Sequence, residues 1–222
     1  MKKQLSIVFK NNFKIILSFV CLMLSFLGYS QEKQIFESPK LKEIIAMHKT
    51  VAILPFKANI GYKRIPKNFS AEGNKDEEEK LGLSMQSGLY TYLLRKSSDF
   101  TVEVQDVDKT NALLKKNGLF DKLSELSGDE IAKILGVDAV IKCSYTYEKT
   151  GSEAGAIVKS LLIGFGTGKV ATGELTMQIN DGKDGGLVWR FYKQMAEDVM
   201  SSPSAMMERM MRKVGRNFPY QK

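Results

Sequence analysis

The stretch Gly164-Phe165-Gly166-Thr167-Gly168-Lys169 is the part of this chain that most suggests chemistry, because the backbone amides of a glycine-rich turn can cradle phosphate oxygens. Its spacing argues against that role. A Walker loop needs glycine where Ile163 stands and Ser or Thr where Val170 stands. Gly166, Gly168 and Ala171 match a dinucleotide-type GxGxxA, but a strand pattern through Gly173 follows where a helix is required. The run therefore reads as a hairpin loop, and no cofactor is expected.

His48 is the single histidine, which excludes a multi-histidine metal site and leaves any histidine triad on one residue. It precedes a strand at a surface-like boundary, with Glu43 as its only acid nearby in sequence. Asp181 and Asp184 lack the Asp-x-Asp-x-Asp-Gly run of a calcium loop and read as turn formers. Cys143 lies in an apolar run, as a small buried residue or, alternatively, a reactive thiol. No catalytic residue or metal ligand emerges, so a non-enzyme with no small-molecule substrate is expected. A hydrolase whose site one sequence does not reveal is the remaining rival.

Contact chemistry is better represented. Lys57, Lys63, Arg64 and Lys67, with Tyr62 and Phe69 among them, form a cationic patch able to meet anionic lipid, glycan or an acidic protein face, or else a solvated loop. Residues 155–166 are apolar apart from Lys159 and Ser160 and include Ile163 and Phe165; they fold back on the core or self-associate, or else are covered by a partner or lipid. Met207, Met210, Met211 and Val214 share one stripe of the last helix, suited to core packing or to an adaptable docking face, and Met206 lies off it. The partner-binding candidates are therefore Lys57, Tyr62, Lys63, Arg64, Lys67, Ile163, Phe165 and Met206.

The elements that must position these residues follow from periodicity and punctuation. Glu32–Met47 reads as a short amphipathic helix. Thr50–Phe56 is a β-branched apolar run, a buried strand whose end is set by Pro55. Residues 57–75 turn polar and basic and read as a loop. Asp76 to Glu79 open a helix that carries Leu81, Met85, Leu89, Tyr92 and Leu93 on one stripe. Phe100–Val104 alternates as a strand, and Asp108 can cap a helix stopped at Asn117-Gly118. Ser127 and Glu130 have capping-box spacing, with Gly136 as the stop. Strands follow at Val137–Tyr147, Gly173–Ile179 and Leu187–Met195, the last two joined by the turn-rich Asn180–Gly186; a final helix is capped by Ser204.

The chain has 222 residues, 43% apolar and 26% charged, which excludes a disordered or collagen-like chain. Its first thirty residues have the form of a secretory signal peptide: Lys2, Lys3, Lys10 and Lys14, an apolar run from Ile15 to Leu27, then Gly28-Tyr29-Ser30. The run is short for a membrane anchor, which needs roughly 20 residues. Cleavage would remove four lysines and no acid and lower the net charge from +8 to +4, which carries no nucleic-acid signal. It would also remove Cys21, leaving Cys143 alone and no internal disulfide. Ser18-Phe19-Val20 before Cys21 lacks the small residues of a lipoprotein signal. The expected organisation is a signal peptide at 1–30, a helical segment at 31–49 and one α/β domain at 50–218, a mixed β-sheet with helices packed on it and a Gly-rich apolar loop at 151–170.

The run Val51-Ala52-Ile53-Leu54-Pro55-Phe56, the stretch from Ile131 through Gly136-Val137-Asp138 to Ile141, and the Asn180-Asp181 turn before Leu187-Val188-Trp189 resemble the CsgG, LpoB and TolB-N-terminal-like periplasmic domains. The resemblance covers roughly Thr50 to Met211 and implies an anticodon-binding-like, TolB-N-like architecture. It also implies a protein secreted across the inner membrane, periplasmic or associated with the outer membrane. There it would dock on a protein partner of the cell-wall or outer-membrane assembly machinery, or form a self-oligomer, with peripheral membrane contact as a further option. The alternative is a CsgG-like oligomeric secretion or channel subunit that uses the 151–170 loop. Ring-forming relatives carry amphipathic hairpins that alternate apolar and polar residues, whereas 155–166 is apolar on both sides of Lys159-Ser160 and does not alternate.

Overall fold

A computed structural model describes residues 33–149, 171–197 and 203–222. Three long strands, β5 (Ala139–Lys149), β6 (Ala171–Asp181) and β7 (Leu187–Glu197), form an antiparallel meander in the sequence order expected. Four shorter strands complete a seven-stranded mixed sheet: β1 (Lys33–Glu37), β2 (Thr50–Ile53), β3 (Lys57–Tyr62) and β4 (Glu103–Val104). β1 pairs antiparallel with β7, while β2 and β3 both lie parallel to β5 and β4 is parallel to β2.

The N-terminal part departs from expectation. Lys33–Glu37 is a strand, and the only helix before β2 among the described residues is the short α1 (Leu41–Ile45). The pattern failed there because all five residues of β1 are exposed, so burial imposes no period on them. Lys57–Tyr62 is also a strand rather than loop, with Ala58 and Ile60 buried and Lys57, Asn59 and Gly61 exposed, the alternation of a half-buried strand. Pro55 interrupts the β2–β3 run without ending it. The register steps from Ile53 opposite Ile141 to Lys57 opposite Ser144, one residue more on the proline side than on β5. This is a bulge at the residue that has no N–H to give to the ladder.

Helix α2 (Ala71–Arg95) begins earlier than the acidic run suggests, because Ser70 caps it by accepting from the Gly73 amide at 3.2 Å. It lies close against the bulge: a Cβ on Gly82 would run into the Phe56 carbonyl oxygen. The cap of α3 (Val107–Lys116) is Asp106, not Asp108; Asp106 accepts from the Asp108 and Lys109 amides at 3.0 Å each. α4 (Gly128–Leu135) has the expected capping box, with Glu130 accepting from the Ser127 amide at 2.8 Å, and Gly136 ends it at φ 67°. The last helix is α5 (Pro203–Val214).

The two sheet faces differ. Ile141, Cys143, Tyr145, Leu175, Met177, Ile179, Trp189 and Phe191 face one way and meet Met85 and Leu89 of α2 and Met210, Met211 and Val214 of α5 in the main core. Ala52, Leu54 and Val140 face the other way and meet Leu114 of α3 and Ile131, Ala132 and Leu135 of α4. This second core covers only the β2 end of its face.

Candidate interaction surface

Beyond α3 and α4, no helix among the described residues packs on the second face, and its side chains on β5, β6 and β7 are polar. The strand registers arrange them in rows. Lys57, Ser144, Thr176 and Tyr192 stand in one row across β3, β5, β6 and β7, and Gln34 of β1 extends it. Lys142, Gln178 and Arg190 form the next, extended by Phe36. Gln194 reaches across to Glu174 at 3.3 Å. Such a half-covered antiparallel sheet, apolar on one side and polar on the other, is stable with its polar side in water.

Where this open face meets the second core, the bulge at Pro55 opens a cleft of about 290 Å³. Pro55 and Leu123 form its apolar wall, and Lys57, Lys142, Ser144 and Thr176 supply donors and acceptors. The Lys142 ammonium donates to the Leu126 carbonyl at 3.0 Å. Burial pulls the Lys142 pKa below the usual lysine range, while Asp129 and Glu130 at the start of α4 pull it back up. The cleft offers fixed hydrogen-bonding groups on a rigid strand but no nucleophile paired with a base.

The sequence candidates are distributed as follows. Lys57 belongs to the cleft, which sequence alone did not show. Tyr62 ends β3 and meets Phe69 edge to face, ring centroids 5.5 Å apart. Lys63, Arg64 and Lys67 are exposed in the connection from β3 to α2. Ile163, Phe165 and the glycine-rich run fall outside the described residues, as do the side chains of Met206 and Met207. Met210 and Met211 are buried, so this part of the methionine stripe is core.

His48 is not at the surface. It is 6% exposed, its Nδ1 lies 2.7 Å from the Tyr220 hydroxyl, and its Nε2 lies 3.3 Å from Asp181 Oδ1. Asp181 also accepts from the Lys183 amide at 3.1 Å, so it forms the expected turn and binds His48 as well. Both partners lie more than a hundred residues from His48 in sequence, and no local pattern could disclose them. Acid, imidazole and hydroxyl in a chain are the parts of a general-base system, but Tyr220 has no exposed surface for a substrate to reach. Cys143 is likewise buried, and burial pushes its thiol well above the usual range, which keeps it protonated and inert. No group of three or more metal-ligating side chains occurs among the described residues, and no helix among them is long and apolar enough to cross a membrane.

No family model matches the chain, and no curated protein does. Solved structures similar to it include the lipoprotein GNA1162 from Neisseria meningitidis, at 14% identity and a TM-score of 0.44, covering 76% of this chain and 94% of that one. Another is the PelC dodecamer from Paraburkholderia phytofirmans, at 15% identity and a TM-score of 0.41, covering 86% and 98%. A third is the LpoB C-terminal domain from Salmonella enterica, at 11% identity and a TM-score of 0.33, covering 72% and 94%. Values this low leave function to be argued from the chain itself.

Proposed function

We propose that this chain is a non-catalytic protein of the bacterial envelope that docks on a protein partner of the cell-wall or outer-membrane assembly machinery. The observation that carries this reading is the polar face on which no described helix packs beyond α3 and α4, whose rows of Lys, Ser, Thr, Gln, Arg and Tyr end in the Pro55 cleft. A rigid sheet presenting many hydrogen-bonding groups and no reactive pair suits recognition rather than turnover. The signal-like first thirty residues support export, to the periplasm or the outer membrane. The cationic connection with Lys63, Arg64 and Lys67 lies at the end of β3 and would steer an acidic partner toward this face.

A second reading, an oligomeric outer-membrane secretion subunit, is favoured by one feature. β5 and β6 are long strands paired to their ends, Lys149 opposite Ala171, and the connection between them is the apolar, glycine-rich 150–170. Cross-linking of the tagged chain in living cells, with and without residues 151–170, separates the two. The docking reading expects one discrete adduct with a foreign protein that survives the deletion. A ladder of self-multiples that resists salt extraction and disappears with the deletion would replace it with the secretion subunit.

A further inference from the structure

Two of the edge strands of the described sheet, β3 and β1, are treated differently. β3 has its outward backbone groups at Ile60 closed by α2: the Ile60 amide donates to Glu78 Oε1 at 2.7 Å, and its carbonyl accepts from Asn74 Nδ2 at 3.3 Å. β1 has β7 on one side and no described strand on the other. The Ser38 amide donates to the Val188 carbonyl at 2.9 Å, which fixes which residues of β1 bond to β7. With the register Glu37 opposite Trp189, the bonded residues are Gln34 and Phe36, and the backbone groups of Lys33, Ile35 and Glu37 point outward.

An unprotected edge normally carries charges or proline along its length, or is very short. Here the centre is apolar and exposed, with Ile35 at 36% and Phe36 at 46%. The charges sit only at the ends and are opposite in sign. Lys33-Gln34-Ile35-Phe36-Glu37 is therefore complementary to itself when run antiparallel about Ile35. Lys33 then faces the partner's Glu37, Ile35 faces the partner's Ile35, and Glu37 faces the partner's Lys33. These are the outward-pointing positions, so every one of the pairs exchanges both of its backbone bonds. Phe36 becomes a diagonal neighbour of the partner's Phe36. A strand with its hydrogen-bonding parity out of step with its charge pattern would lose one of these matches; β1 has both.

We propose that the β1 edge is a dimerisation surface, on which a second copy of this chain adds its own β1 antiparallel about Ile35 and joins the two sheets into one. The contact is isologous, as a two-fold dimer requires. The edge is short, so the dimer is a weak one that depends on concentration.

Sedimentation of the full chain over a range of concentrations tests this. The wild type is expected to dimerise reversibly. Lys33→Glu and Glu37→Lys each set like charges opposite one another at both ends of the contact and should weaken the dimer by ~10-fold. An equimolar mixture of the two variants restores opposite charges at both ends and should recover wild-type association as a heterodimer. Ile35→Pro removes an amide that faces away from β7, so the fold, read by thermal unfolding and circular dichroism, should persist while dimerisation is lost. A wild type that stays monomeric throughout, as it would if another part of the chain occupied the edge, overturns the proposal. So does association that is unchanged by either reversal or not recovered by the mixture.

Discussion

The Tyr220 hydroxyl lies 2.7 Å from Nδ1 of His48, joining the third residue from the end of the chain to the residue that leads into β2. Asp181, at the end of β6, holds the other ring nitrogen. Around this tie the C-terminal residues add backbone bonds of their own, Thr101 amide to Tyr220 carbonyl and Lys222 amide to Asp99 carbonyl, each 2.9 Å. Phe218 and Tyr220 pack edge to face, and Phe218 does the same with Trp189 and Phe100. The single histidine is thus a buried fastener. Burial raises the Tyr220 pKa, with Asp181 and Asp138 adding to the effect, so the phenol stays protonated.

Tyr220→Phe keeps the ring packing and leaves a buried imidazole nitrogen without its partner. The expected loss is about 1–3 kcal/mol in denaturant unfolding at neutral pH. His48→Ala should cost at least as much, because it strands Asp181 and Tyr220 together. An unchanged midpoint in both variants would refute the fastener.

Asp138 should contribute to acid sensitivity, alongside Asp106, Asp129 and Glu130, which are also held low by hydrogen bonds. The Asp138 carboxylate accepts from the Thr50 and Lys49 amides at 2.9 and 2.8 Å, and these bonds hold its pKa below the usual carboxylate value. A depressed folded-state pKa gives stability that is present above the unfolded value, about 3.9, and is lost as pH falls through the folded value. Asp138→Asn is expected to be less stable at neutral pH and to show a shallower stability loss below about pH 4. Unfolding midpoints across pH 2–7, about that value, measure both.

Gly82→Ala places a methyl group against the Phe56 carbonyl and pushes α2 away from the bulge that shapes the cleft. About 1–3 kcal/mol of destabilisation is expected, the usual range for overpacking. Glycine is needed here for close approach, so Gly82→Ser should be no better.

Glu78→Ala removes the acceptor of the Ile60 amide and uncovers the β3 edge. Stability should fall by about 1 kcal/mol, and turbidity on heating should rise as the edge becomes available for strand addition. Glu78→Gln keeps an acceptor oxygen and should rescue much of both.

The parts legible in the sequence were those governed by local rules. Ser127, Glu130 and Gly136 marked α4 because a capping box and a left-handed stop are chemical requirements. The strand carrying Leu175 declared itself by apolar alternation, and those carrying Ile141 and Trp189 by the Gly136 stop and the Asn180–Gly186 turn before them; all three feed one large core. β1 gave no period because it is exposed throughout, and β3 was obscured by Pro55 and Gly61 at either end. The cleft was hidden for a different reason: Lys57, Lys142 and Thr176 come from three strands and meet only through register. The His48 tie was hidden likewise, since its partners come from a turn and from the chain end.

The open polar face is the proposed binding surface for a partner. A photo-reactive amino acid placed at Thr176, in the middle of that face, should give one discrete adduct with a foreign envelope protein in living cells. The same probe at exposed Glu72, on α2, should not. Equal labelling from both positions, or none from Thr176, would contradict binding at this face.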